Sequence, residues 1–210
     1  MARAEKEKNA STEERIKEAA RKVFTLKGYA ATRTRDIAEE SGFNLALINY
    51  YFRSKEKLFE IVMVETLQLF VTSLKGILND EATTLPQKLE ILIGHYIELL
   101  IENPSLPLFI LSEINTDPKK LLVKLGADIK PKETVAARQM ATYMQHAKLQ
   151  INPMHILMNT VAVTIFPFIG APLIKAKTGI DTAAFNALME ERKKLIPIWV
   201  QQWLAGGLAQ

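Results

Sequence analysis

The segment NLALINYYFRSKEKLF, residues 44–59, combines hydrogen-bonding and cationic side chains with several large apolar ones. Its adjacent tyrosines, Tyr50 and Tyr51, cannot both point into a protein core, because neighbouring residues project in different directions. Tyrosine hydroxyls can hydrogen-bond phosphates, and asparagine pairs with adenine in the DNA major groove. Lysine and arginine also outnumber acidic residues between positions 1 and 57. These residue types therefore favour a nucleic-acid partner.

Residues that could perform catalysis form no recognisable constellation. The chain has no cysteine, and the spacing of His95, His146 and His155 does not match a metal site. The sequence contains no glycine-rich phosphate loop and no GxSxG motif. We therefore expect no enzymatic activity, no metal and no cofactor.

The composition is that of a globular protein with a sizeable core, because 48% of its 210 residues are hydrophobic and 24% are charged. A net charge of +4 is compatible with an anionic partner without identifying one. The N-terminal residues lack the apolar segment of a secretory signal, and the absence of cysteine suits a reducing compartment. A cytoplasmic location is expected.

The fold class predicted from the sequence is all-α. Helical spacing of apolar residues recurs along the chain, and no stretch alternates as a strand would. The first helix is predicted to begin at Ser11, where Glu14 completes a capping box, and to end at Gly28.

Three further helices are predicted before residue 80. Thr34 is expected to cap the helix RDIAEES, and Gly42 to end it in the left-handed conformation. Asn44 is expected to cap the next helix and Ser54 the long fourth one. The two short helices joined by SGFN match a helix-turn-helix, in which the second helix enters the DNA major groove.

The later part of the chain is also predicted to be helical. Its patterns indicate helices at residues 86–102, 109–114, 131–148 and 181–204. Residues 154–174 contain no charged side chain and are long enough to span a membrane. Pro167, Gly170 and Pro172 are expected to interrupt this helix, so burial in a subunit interface is the preferred interpretation.

The stretch GYAATRTRDIAEESGFNLALINYYFRSKEKLF, residues 28–59, resembles the N-terminal DNA-binding region of the TetR family of transcriptional regulators. The resemblance is carried by a phenylalanine and KGY at the end of the first helix, a threonine before RDIA, then SG, a capping residue and YYF-S-KE-LF. It implies a three-helix helix-turn-helix DNA-binding domain at residues 1–55. It also implies a helical effector-binding and dimerisation domain at residues 56–210.

The resemblance assigns DNA-contacting roles residue by residue. Tyr50, Tyr51 and Lys55 resemble backbone clamps, and Asn49 stands where the family more often has tyrosine. Asparagine and leucine on the base-facing side would suit half-sites that contain A·T pairs, although Leu45 and Leu47 could instead pack within the domain. The predicted contacts with double-stranded DNA are Arg33, Thr34, Arg35, Asn44, Leu45, Ala46, Leu47, Asn49, Tyr50, Tyr51 and Lys55.

The resemblance further implies that the last two long helices of each subunit pack against a second copy as a four-helix bundle. The predicted dimer contacts are Leu188, Leu195, Trp199 and Trp203. A small, partly apolar effector is expected in a pocket of the C-terminal domain. The candidate pocket residues, each of which has an alternative interpretation as ordinary core or surface, are His95, Tyr96, Phe109, Glu113, Arg138, Tyr143, Met144, Asn159 and Phe166.

The sequence thus predicts a homodimeric repressor that binds a pseudo-palindromic operator and is released by a small molecule. Two alternatives stay open at this point. The chain could be a membrane-associated interaction protein that uses residues 154–174, or a DNA-binding regulator controlled by protein partners without a small effector.

Overall fold

A computed structural model of the chain describes residues 2–126, 130–148 and 151–205, with side chains from residue 11 onward. Within these ranges the chain forms eleven α-helices and no strand, which confirms the all-α prediction. In chain order they are α1 (Ala2–Ala31), α2 (Thr34–Ser41), α3 (Leu45–Phe52), α4 (Lys55–Asn79), α5 (Leu85–Glu102), α6 (Leu106–Thr116), α7 (Pro118–Lys124), α8 (Val135–His146), α9 (Pro153–Ile169), α10 (Ala171–Thr178) and α11 (Thr182–Leu204), with a short 3₁₀ helix at Pro131–Glu133.

The helices group into two compact units. The first contains the described residues up to Gln68 together with Asn103–Leu125, and the second contains Leu69–Glu102 and the described residues from Gly126 onward. Helix α4 contributes residues to both units. The division into functional domains at residues 1–55 and 56–210 stays a prediction.

Helix α1 begins at Ala2, so the predicted start at Ser11 is wrong. The residues before Ser11 include no proline or glycine, and nothing in ARAEKEKNA stops a helix. Near the other end, Gly28 departs from helical geometry with φ 72° and ψ 163°. Glycine adopts this conformation without the steric cost that a side chain would add.

Local capping fixes the ends of α2, α3 and α4. Helix α2 begins at Thr34, and the extended residue before it is Arg33, so the prediction that Thr34 is the cap is wrong by one position. Gly42 ends α2 with φ 71°, as predicted. The Asn44 side chain accepts a hydrogen bond from the Leu47 N–H at 2.8 Å, and Ser54 Oγ accepts one from the Lys57 N–H at 3.1 Å. These two caps are confirmed.

The core of the first unit is built from one face of each of its first four helices. Its buried members include Ile16, Ala20, Phe24, Ile37, Ile48, Phe52, Leu58 and Val62. The Phe59 ring lies 5.0 Å from the Phe24 ring and 5.8 Å from the Phe109 ring, both edge-to-face. Glu65 accepts hydrogen bonds from Lys17 and Arg21 at 2.6 Å each, which ties α4 to α1.

In the second unit, α5 packs against α11, α9 and α8. The core side chains include Ile93, Ile97, Leu100, Ile156, Ile196, Val200 and Leu204. Lys88 is also fully buried, and its ammonium group donates to the Asp80 carbonyl at 2.5 Å and to the Thr83 carbonyl at 2.7 Å. A lysine therefore holds the connection between α4 and α5.

Helix α9 continues through Pro167 to Ile169, so the prediction that this proline interrupts the helix is wrong. Proline deprives the carbonyl four residues earlier of its helical donor. That carbonyl belongs to Val163, and it accepts a hydrogen bond from Arg192 Nη2 at 2.5 Å. The break falls at Gly170, which was also predicted to interrupt the helix, and α9 and α10 differ in direction there by 57°.

Other helix boundaries differ by a few residues from the prediction. Helix α6 begins three residues early because Pro107 fits its first turn. Helix α7 was not predicted, although Asp117 caps it by accepting from the Lys120 N–H at 3.0 Å. Helix α8 begins at Val135 because Thr134 Oγ1 accepts from the Ala137 N–H at 3.1 Å.

By length and hydropathy alone, α4 and the bent pair α9–α10 each pass as a membrane span. The bend divides the pair into helices of 17 and 8 residues. Each is shorter than the roughly 20 residues that a span needs. Helix α4 contributes Leu58, Val62, Met63 and Leu67 to the buried side chains. These four apolar residues therefore have a structural role that requires no membrane.

Candidate nucleic-acid interface and effector cavity

Helix α3 has one buried and one exposed face. Ile48 and Phe52 are each 2% exposed, whereas Tyr50 is 78% exposed. Leu45, Ala46 and Asn49 are also exposed, and Leu47 and Tyr51 are half-buried. The tyrosine rings meet edge-to-face with their centroids 5.4 Å apart. The exposed face thus combines an amide, a phenol and small apolar groups, which suits the edges and methyl groups of DNA bases.

The N-terminus of α3 provides donors for an anion. Asn44 satisfies the Leu47 N–H, whereas the first N–H groups of any α-helix have no partner within the helix. Such groups bind phosphate well. The predicted phosphate-binding role of Asn44 therefore has a physical basis, and it stays a prediction.

The start of α2 is held by acidic and basic side chains. Asp36 Oδ2 accepts from the Arg33 N–H at 2.7 Å, and Asp36 Oδ1 lies 3.0 Å from Lys27 Nζ. The hydrogen bond from the Arg33 backbone and the nearby lysine lower the pKa of Asp36. The side chains of Arg33 and Arg35 are exposed, and Thr34 is half-buried. Both arginines are therefore accessible to a phosphate.

Lys55 has internal partners in the first unit. Its ammonium group donates to the carbonyls of Tyr29 and Thr32 at 3.0 Å each and lies 4.3 Å from the centre of the Tyr29 ring. Lys57 is paired with Glu60 at 2.9 Å. Lys55 therefore stabilises the end of α1. Its predicted phosphate contact stays a prediction.

A cavity of about 540 Å³ lies in the second unit. It is lined by Glu81, Thr84, Leu85, Pro86, Val135, Arg138, Gln139, Thr142, Tyr143 and His146. Arg138 Nη2 is 2.7 Å from Glu81 Oε1, and Gln139 Nε2 donates to the Thr83 carbonyl at 2.9 Å. The cavity therefore joins apolar walls to hydrogen-bonding groups, which is the usual chemistry of a small-molecule site.

Only Arg138 and Tyr143 of the predicted pocket residues line this cavity. Elsewhere in the second unit, Tyr96 stacks on Phe70 at 5.0 Å, and burial raises the pKa of Tyr96 to about 12. His95 and Asn159 are exposed, Met144 is buried and Phe166 is 67% exposed.

Two of the predicted pocket residues belong to the first unit. Phe109 is buried against Phe59. Glu113 Oε2 lies 2.8 Å from Lys124 Nζ, within an ion pair that Glu60 shares. The structure thus gives both side chains contacts within the first unit, and their role toward an effector stays a prediction.

Helices α9 and α11 expose large apolar side chains. On α9 these are Met154, Leu157, Met158 and Val161, whose spacing places them on one face. On α11, Leu188 and Leu195 are 44% and 40% exposed, and Trp199 and Trp203 are half-buried. All four predicted dimer contacts are therefore at least partly accessible.

A family model described as bacterial regulatory proteins, tetR family, matches residues 16–62. This range contains both helices of the helix-turn-helix. The match shows similarity to the TetR family in the DNA-binding region of the chain. This confirms the predicted resemblance and the function of a DNA-binding transcriptional regulator.

Several known proteins are similar to this chain. The HTH-type transcriptional regulator RutR of Escherichia coli is 28% identical over 189 residues, which is 86% of each chain. A TetR-family regulator of Mesorhizobium loti is 19% identical with a TM-score of 0.52, over 90% of this chain and 96% of that one. FadR of Bacillus subtilis, solved in complex with stearoyl-CoA, is 18% identical with a TM-score of 0.52, over 87% of this chain and 96% of that one. The two structures share the fold of this regulator.

Two features of the structure are not predicted from the sequence. Residues 154–174 are predicted to be buried in a subunit interface, but that prediction does not include the exposed stripe of α9, which the helical spacing of Leu157, Met158 and Val161 could have revealed. The cavity was missed in part because Glu81, Thr84 and Pro86 lie in and just after a loop. No spacing rule connects that loop to α8.

Proposed function

We propose that this DNA-binding regulator is a homodimeric repressor of the TetR family that binds a pseudo-palindromic operator and is released when a small molecule occupies its second unit. The observation that carries this proposal is the exposed face of α3, where Asn49 and Tyr50 stand on a helix anchored by Ile48 and Phe52. The proposal places the protein in the cytoplasm, because the matching family consists of bacterial regulatory proteins and bacterial DNA lies in that compartment.

The apolar faces of α9 and α11 support a homodimer. Leu157, Val161, Leu188 and Leu195 would be removed from water if two copies packed these helices as a four-helix bundle. A two-fold dimer presents two recognition helices to half-sites about one DNA turn apart, roughly 34 Å. The predicted operator symmetry follows from that of the protein.

The cavity beside α8 supports a small-molecule effector. Leu85, Pro86 and Val135 offer an apolar surface, and Arg138 and His146 offer polar groups. The complex of Bacillus subtilis FadR with stearoyl-CoA provides a precedent, on a related fold, for a ligand that is both apolar and anionic. We infer that the effector of this chain also has an apolar body and a polar or anionic group.

The first experiment is selection of random double-stranded DNA by the purified protein, with sequencing of the bound pool. Enrichment of an inverted repeat is the expected result, because each protomer reads one half-site. A folded, dimeric protein that enriches no sequence would contradict the proposal.

The effector is tested by thermal unfolding with fatty acids and acyl-CoA thioesters of different lengths. A ligand that binds the native state must raise the unfolding temperature. It should also release the selected operator, and Arg138→Gln should weaken both effects. If no compound stabilises the protein, a regulator controlled by protein partners becomes the better explanation.

A further inference from the structure

The connection between α3 and α4 has an unusual backbone. Arg53 adopts φ 64° and ψ −43°, a conformation that residues with a side chain rarely take. The Ser54 N–H donates to the Phe52 carbonyl at 2.7 Å, a hydrogen bond between residues two apart. This is a γ-turn centred on Arg53, and its positive-φ form is strained. Glycine would adopt it more easily, so the arginine is present at a cost to stability.

The Arg53 side chain is exposed, and among the described residues it makes no ion pair or hydrogen bond. The two lysines that follow it differ in this respect. Lys55 donates to two backbone carbonyls, and Lys57 pairs with Glu60. Arg53 is therefore the cation at this junction whose charge has no partner within the described chain.

The position of Arg53 relates it to the DNA-facing side of α3. Its N–H donates to the Asn49 carbonyl at 2.9 Å, so its backbone continues the helix one turn beyond a base-facing residue. Phosphates flank the groove that a recognition helix enters, and arginine binds them in a fixed geometry. We infer that Arg53 contacts the DNA backbone and that the strained turn positions its guanidinium group. This inference rests on the proposed function.

The test is Arg53→Gly in the full-length protein, measured on the operator selected by the wild type. The variant loses the charge and relieves the turn, so its unfolding temperature should stay equal or rise. Its affinity should fall roughly tenfold at moderate salt. The slope of log affinity against log salt should become shallower by about 2 per dimer, for one lost phosphate contact in each protomer. Arg53→Lys, which keeps the charge, should retain most of the slope.

Lys148→Gly provides a matched control, because Lys148 is an exposed cation with φ 53° in the second unit. It should leave affinity and salt slope unchanged. If Arg53→Gly binds the operator with the wild-type affinity and slope, the inference is overturned and the proposed function stands. If the wild type selects no DNA at all, the proposed function itself fails.

Discussion

The two compact units expose different chemistry. On α3 the first unit presents Asn49 and Tyr50, whose polar atoms suit a hydrated, charged partner such as DNA. On α9 and α11 the second unit presents aliphatic groups such as Leu157 and Leu195, which gain from being removed from water. Under the proposed function, the first unit would recognise DNA and the second unit would recognise a second copy of the chain.

The units also resemble each other in how they hold their turns. In the first, Lys55 donates to the carbonyls of Tyr29 and Thr32, and in the second, Lys88 donates to those of Asp80 and Thr83. Lys88 is fully buried, whereas Lys55 is half-buried. Water can replace the ammonium group of Lys55 more readily than that of Lys88. The two contacts should therefore contribute different amounts to the free energy of unfolding.

The largest effect is expected from a substitution that makes the apolar surface of the second unit charged. Leu195→Glu places a charge on the apolar face of α11, and burying it against a second copy would be costly. The variant should be monomeric by light scattering. Its operator affinity should fall by about 100-fold or more, because the avidity of two linked half-sites is lost.

The control for this change is Leu122→Glu, which alters an exposed leucine of α7 in the first unit. It should leave both mass and affinity unchanged. A Leu195→Glu protein that stays dimeric would mean that the copies meet elsewhere.

A smaller effect is expected from removing the two lysine contacts. Lys88→Met removes a fully buried donor from the carbonyls of Asp80 and Thr83 and should lower the free energy of unfolding by about 2 kcal/mol. Lys55→Met should cost about 1 kcal/mol, since the Lys55 side chain is only half-buried and water can replace it more readily. Urea titration measures both values. Lys177→Met, on the surface of α10, should change stability by less than about 0.5 kcal/mol. Equal losses for Lys55 and Lys88 would remove the distinction based on burial.

The fold of the first unit was largely predictable because its signals are local. A cap such as Asn44 and a left-handed glycine such as Gly42 act within a few residues, so the sequence window contains the whole cause. The predicted start of α1 at Ser11 is wrong because a capping sequence does not begin a new helix when the residues before it are already helical. The prediction that Pro167 interrupts α9 is wrong for a non-local reason. Its missing hydrogen bond is replaced by Arg192, which is 25 residues away in sequence.

The candidate site was predictable to the extent that the family motif covers it. The exposed positions Asn49 and Tyr50 follow from that motif, whereas the unusual turn at Arg53 carries no glycine or proline to signal it. The cavity depends on how Glu81 and Thr84 come to face Arg138 of α8, about 55 residues later. Such pairings are set by packing between helices, for which the spacing within one helix gives no information.

A further prediction tests whether the exposed face of α3 determines the DNA sequence preference of the first unit. Asn49→Ala should relax the base preference at one position in each half-site, at a cost of about 1 kcal/mol in discrimination. Overall stability should not change, because Asn49 is exposed. Repeating the DNA selection with the variant measures the effect, and Lys148→Gly again serves as the control. An unchanged preference would remove Asn49 from the base-reading set.

The smallest expected effect concerns an ion pair that joins three helices of the first unit. Lys124 Nζ lies 2.7 Å from Glu60 Oε1 and 2.8 Å from Glu113 Oε2. The hydrogen bond from Lys124, followed by that from Lys57, holds the pKa of Glu60 below its ordinary value of 4.5. A carboxyl group whose pKa is lower in the folded state stabilises the fold above its ordinary pKa. That contribution disappears as the pH falls through the lowered value.

Glu60→Gln should therefore lower the free energy of unfolding by less than about 1 kcal/mol at neutral pH, because the pair is partly exposed. The difference from the wild type should shrink once the pH drops below 4.5, as the wild-type carboxylate becomes protonated. Urea unfolding of both proteins across this range provides the measurement, with Glu39→Gln as an exposed control on α2. A difference that does not vary with pH would show that Glu60 acts through packing, and the first unit would then rely on its aromatic cluster rather than on this ion pair.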